Sequence, residues 1–177
     1  MSGRPPELPM KRLFLLRHAK AGFDLTGQAD ADRVLTHAGK QDVVKLAYKI
    51  KGRNERIDLA LTSQAMRTRQ TLESLLEICG DCFGRTEVVT GLYQASESTV
   101  LELISALPEE HERVLLLGHN PAMTQLSNLL AVDLRLDHLP PCGLMVLDFD
   151  VRHWREVSVG KGKVSWFDFP KNDYSIL

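Results

Sequence analysis

Two histidines and two arginines of this chain stand where they could handle one phosphoryl group together. Arg17-His18, then Ser63 with Arg67, then Gly118-His119 each follow directly on a short apolar run. Guanidiniums match the planar oxygens of a phosphate and stay charged. A neutral imidazole nitrogen is a competent nucleophile, and nearby cations disfavour its protonated form. A second imidazole can donate to an equatorial oxygen as charge spreads in the transition state. Such a set needs no metal, because the guanidiniums supply the positive charge. A lone histidine after a strand is usually structural. Three such signals at corresponding edges point instead to a shared anion site.

That convergence requires the apolar runs to be neighbouring strands. Lys11 to Leu16 is too brief for a helix and reads as a buried strand. Arg17 to Leu35 is a long polar connection. Thr36 is the expected N-cap of a helix with Val43, Val44, Leu46, Ala47 and Ile50 on one stripe, closed by Gly52. Ile57 to Thr62 reads as a second strand. A helix from about Ala65 turns Leu72, Leu75, Leu76 and Ile78 inward and stops at Gly80. Thr86 to Thr90 is a third strand, and Ser98 the expected cap of a short helix through Leu107. Arg113 to Leu117 is a fourth strand. Asn120 and Pro121 read as N-cap and first residue of the next helix, to about Leu130. Leu144 to Phe149 and Val164 to Phe169 complete the strands.

Strands alternating with helices imply βαβ units and a mostly parallel, doubly wound α/β sheet. Ligands of such sheets sit beyond the carboxyl ends of the strands, where the histidines and arginines fall. Side chains on helices lean toward the N-terminus, so Arg67 is expected to point back at the sheet edge. Arg69, two residues on, should face solvent.

The 177 residues suit one compact domain, and the net charge of −1 provides no global field for nucleic acid or membrane surfaces. No apolar run approaches a membrane span. Met1 to Met10 is Pro-rich and polar, without the apolar core of a signal peptide. It reads as a flexible tail before a single cytoplasmic domain spanning 11–177. Cys79 and Cys82 form a C-x-x-C, but at a helix end rather than a helix start, where a thiol would be activated. His111-Glu112 begins a zinc-protease pattern whose second histidine position is Leu115. His37, His138 and His153 read as ordinary surface or core residues, and Trp154, Trp166 and Phe167 as packing for the final strands.

The same residues carry a family resemblance. Leu13 to Ala21 (LFLLRHAKA) resembles the Arg-His signature strand of the histidine phosphatase, or phosphoglycerate mutase-like, superfamily. Ser63 to Thr71 (SQAMRTRQT) and Leu117 to Pro121 (LGHNP) resemble the segments holding its arginine and its second histidine. Asp32 to Gly39 (DRVLTHAG), Gly91 to Ser96 (GLYQAS) and Trp166 to Lys171 (WFDFPK) are similar to the small phosphohistidine phosphatase, or SixA-like, branch. Ala19 stands where glycine is commoner in the superfamily, and Val34 where the branch usually has proline. The resemblance implies a three-layer α/β/α domain with His18 as the phosphorylated nucleophile. Arg17 and Arg67 would clamp the phosphate, His119 would bond the transferring group and Arg33 would line the pocket. It implies no cofactor.

Larger members of the superfamily carry an acidic proton donor on an insertion after the third strand. Here only Gly91 to about Glu97 fills that interval, and Glu97 reads first as a helix-start dipole partner. An alkoxide leaving group needs a positioned acid, whereas an imidazole whose ring is already protonated can depart neutral. The expected substrate is therefore phosphohistidine on a protein. The alternatives are an esterase or mutase for small phosphate esters and a phosphate-binding module without turnover.

Overall fold

The computed structural model describes residues 10–23 and 25–170. Except for Met10, the expected tail lies outside the described residues, as does Lys171 of the closing segment. The elements run in the order β1 (Lys11–Arg17), α1 (His37–Gly52), β2 (Ile57–Thr62), α2 (Met66–Cys79), β3 (Phe83–Val88), α3 (Glu97–Ser105), β4 (Arg113–Gly118), α4 (Ala122–Leu130), β5 (Leu144–Phe149) and β6 (Lys163–Asp168). Among the described residues no helix is long and apolar enough to cross a membrane.

The six strands form one sheet in the order β3-β2-β4-β1-β5-β6. Each face is covered, which is why β1 is an unbroken apolar run. Leu13 and Leu15 join a core with Val100, Ile104, Leu126 and Trp154 on the face of α3 and α4. Phe14 and Leu16 join Val43, Ile50, Leu72 and Leu75 on the face of α1 and α2. This is the expected three-layer α/β/α architecture. The first four strands are mutually parallel, while β5 runs antiparallel to β1 and β6 antiparallel to β5. The sheet is thus mixed, parallel in its β3-to-β1 part only.

Some boundaries differ from expectation. β3 begins at Phe83 and ends at Val88, and Thr90–Leu92 forms a 3₁₀ turn. As an edge strand it is aligned by β2, where Ile57 faces Phe83, and not by its own apolar residues. The cap of α3 is Ser96, whose hydroxyl accepts from Thr99 N at 3.2 Å; Ser98 lies within the helix. Pro121 occupies the cap position of α4, after a cis bond to Asn120. Asn120 nonetheless takes an orphan donor of that helix, Thr124 N, at 3.2 Å. Thr36 caps α1 as expected, accepting from Gly39 N at 3.0 Å.

The register brings the strand ends together. Arg17 pairs with Gly118, and Thr62 with Leu117. His18 and His119 therefore leave adjacent strands side by side, with Ser63 one strand over. α1, which follows β1, covers one face; α4, which follows β4, covers the other. The chain parts between β1 and β4, which opens a crevice at their carboxyl ends. Gly39 seals α1 against that edge: a Cβ there would stand 2.3 Å from Lys20 O.

Candidate active site

His18 stands at the head of the crevice with its ring orientation fixed. Its Nδ1 lies 2.7 Å from the carbonyl oxygen of Ala19. A carbonyl only accepts, so Nδ1 carries the proton and Nε2 keeps its lone pair. Ala19 N donates to Thr71 Oγ1 at 3.2 Å, and that hydroxyl donates to Arg67 O at 2.7 Å. The turn holding the imidazole is thereby tied to α2. Burial foremost, with His119, Arg67 and Arg17 adding positive potential, pushes His18 down to about 3. The ring is neutral and nucleophilic at physiological pH.

Arg67 leans back onto the sheet edge as its place in the first turn of α2 dictates, and Arg69 is exposed. Arg67 is only 6 % exposed. Its Nε donates to His18 Nε2 at 3.3 Å, Nη1 to Asp30 O at 2.8 Å and Nη2 to Asp30 Oδ2 at 3.1 Å. Arg17 Nη1 donates to Leu139 O at 2.9 Å, while its buried Nε has no partner among the described residues. Burial lowers the pKa of Arg17 from its ordinary value. Arg33 sits one shell out, with Nη1 on Asp30 Oδ1 at 3.2 Å and Nε on Gly22 O at 2.9 Å.

His119 faces His18 with ring centroids 5.3 Å apart. Its Nε2 is 2.8 Å from Ser63 Oγ. That hydroxyl accepts from Ala65 N at 3.3 Å, which leaves its own proton free for Nε2. The ring proton of His119 then resides on Nδ1, a buried atom without a partner among the described residues. Burial foremost, then Arg67 and Arg17, pushes His119 down to about 4.

His18, His119, Arg17 and Arg67 are thus brought together, with Arg33 reaching them through Asp30. Glu97 is not part of the group: it opens α3, and no hydrogen bond or ion pair joins it to these residues among those described. Sequence reasoning missed Asp30 and did not single out Tyr93. Tyr93 Oη donates to Asp30 Oδ2 at 2.6 Å, and its ring packs edge-on to His119 at 5.7 Å. The Tyr93 hydroxyl, helped by Arg67 and Arg33, holds Asp30 at about 2. The available signal was the Asp30–Arg33 spacing, one turn within a polar loop. Cys79 and Cys82 are buried and not joined in a disulfide, with burial pushing Cys79 up to about 12, far from a reactive thiolate.

Chemically, the arrangement offers a neutral nucleophile, one buried and one half-buried guanidinium and an imidazole N–H at one sheet edge. The sequence model of the histidine phosphatase superfamily (branch 1) matches residues 13–92. The SixA protein of Agrobacterium tumefaciens has a solved structure similar to this one, with a TM-score of 0.76 and 32% identity over 92% of this chain and 99% of that one. The structure of the protein histidine phosphatase SixA complexed with tungstate aligns with a TM-score of 0.74 and 26% identity, over 91% of this chain and 98% of that one. An uncharacterized protein of Mycobacterium tuberculosis is 28% identical, over 88% of this chain and 100% of its own length.

Proposed function

The chain belongs to the histidine phosphatase superfamily, and from that premise we propose that this phosphatase works through a phosphohistidine on His18 and acts on phosphohistidine in proteins. His18 Nε2 attacks phosphorus, the bond from phosphorus to the substrate's ring nitrogen breaks, and the imidazole departs with the electron pair. Water then attacks the phosphoryl group in line, the bond to Nε2 breaks with its electron pair returning to the ring, and phosphate leaves carrying both of the water's protons. Arg17, Arg67 and the Nδ1–H of His119 hold the equatorial oxygens in both steps. The observation carrying this reading is the pinned Nδ1–H of His18, which leaves Nε2 as a lone pair beside Arg67.

The choice of substrate rests on proton supply. Among the described residues Asp30 is the carboxyl bonded into the site, and Tyr93 and the arginines keep it ionised at about 2. It has no proton to give an alkoxide, and Glu97 stands apart. A leaving group that needs no acid fits this site. The similar SixA structure is a complex with tungstate, a tetrahedral oxyanion like phosphate, which supports an oxyanion as the ligand of such a protein. Steady-state rates on a phosphohistidine peptide and on sugar phosphates test the reading. The peptide is expected to turn over much faster; faster turnover of the sugar phosphates would reassign the protein to small esters.

A further inference from the structure

A carboxylate in a phosphate pocket opposes the ligand's charge, so Asp30 needs a reason. Anchoring guanidiniums is not sufficient, since carbonyls do that here: Asp30 O holds Arg67 Nη1 at 2.8 Å and Leu139 O holds Arg17 at 2.9 Å. An ionised carboxylate offers about four acceptor positions. Among the described residues Oδ2 of Asp30 accepts from Tyr93 and Arg67, and Oδ1 from Arg33, which leaves one position on Oδ1. The side chain is 40% exposed, so a ligand can reach the carboxylate. It lies one guanidinium away from the nucleophile, because Arg67 spans from His18 Nε2 to Asp30 Oδ2.

We propose that Asp30 selects the leaving group: its carboxylate accepts the N–H of the departing imidazole, at the ring nitrogen not bonded to phosphorus, and repels anionic leaving groups. The inference rests on the phosphohistidine reading and identifies the residue that enforces it. A phosphohistidine with its second nitrogen protonated is the form from which neutral imidazole leaves. A carboxylate facing that N–H favours this form. As phosphorus transfers, the electron pair of the breaking P–N bond returns to the ring, the N–H stays in place, and no further proton is consumed. Tyr93 and the two arginines keep the carboxylate ionised and aimed, and the same contacts deny it the role of an acid.

Asp30→Asn removes the charge and keeps the shape. The measurements are kcat/KM on a phosphohistidine peptide, kcat/KM on p-nitrophenyl phosphate, whose leaving group is anionic, and the inhibition constant of inorganic phosphate. With the carboxylate lost, peptide turnover is expected to fall roughly tenfold to a hundredfold, the range for a hydrogen bond to a charged group. Ester turnover is expected to hold or rise, and phosphate to inhibit at the same or lower concentration, which certifies an intact pocket. Equal losses on both substrates with weaker phosphate inhibition would overturn the proposal, leaving Asp30 an anchor of Arg67 only. An unchanged substrate ratio in a protein that prefers the peptide would defeat this inference alone. A wild type that prefers the ester would defeat the substrate reading as well.

Discussion

The two ends of β1 hold arginines in opposite conditions. At the amino end, Arg12 Nε and Nη2 bond Asp148 at 2.7 and 2.9 Å, and Nη1 bonds Glu55 at 3.2 and 3.0 Å. Asp148 foremost raises its pKa. At the carboxyl end, Arg17 keeps a buried Nε and His119 a buried Nδ1 without a partner among the described residues. β1 thus carries a satisfied ionic cluster at one end and, beside the end of β4, a guanidinium with a donor in surplus at the other. Buried charges that are fully paired serve the fold; donors left in surplus around a neutral nucleophile serve a ligand.

Substitutions at the two ends should separate activity from stability. His18→Ala is expected to lower phosphatase turnover by about three orders of magnitude or more, with stability little changed. Arg67→Ala should lower kcat/KM about a hundredfold, measured on any substrate the protein accepts. At the other end, Arg12→Ala takes from Asp148 its bidentate partner and leaves Glu55 with the longer contacts to Arg53 and Arg113, each at 3.9 Å. Urea denaturation should show about 3 kcal/mol lost, while kcat/KM stays at the wild-type level. A variant at the amino end that impaired turnover as severely as Arg67→Ala would erase the contrast. Ser63→Ala frees the ring of His119 and should cost about tenfold in kcat with little change in KM.

The histidines also set the acid stability. His18 and His119 stay neutral in the folded protein down to about 3 and about 4. In the unfolded chain each takes a proton near 6.5. The unfolded state therefore binds more protons between these limits, and stability falls as pH drops from about 6.5 toward 4. Asp30, held at about 2 against an ordinary 3.8, gives up its contribution only below that range. Tryptophan fluorescence during acid titration should show His18→Ala losing less stability than wild type over pH 6.5 to 4.

Much of this was legible in the residues. β2 and β5 begin and end where their apolar runs do, and Thr36 announces α1. His18, Arg67 and His119 are marked because each follows a strand end, and a parallel register sets strand ends side by side. The direction of β5 was hidden, since a strand buried on both faces is a continuous apolar run whichever way it runs, and β6, an edge strand, takes its direction from β5. β3 was misplaced because an edge strand with an exposed sequence takes its register from its neighbour. Asp30 and Tyr93 escaped notice because polar residues in turns look alike until the chain folds back on Arg67.

The most direct measurement is rapid-quench trapping with phosphohistidine peptide, followed by mapping of the phosphorylated residue. Wild type should accumulate acid-labile, base-stable phosphate on His18, absent from His18→Ala. Turnover without such a species, or phosphate mapped to any other residue, would contradict His18 as the group that takes the phosphoryl.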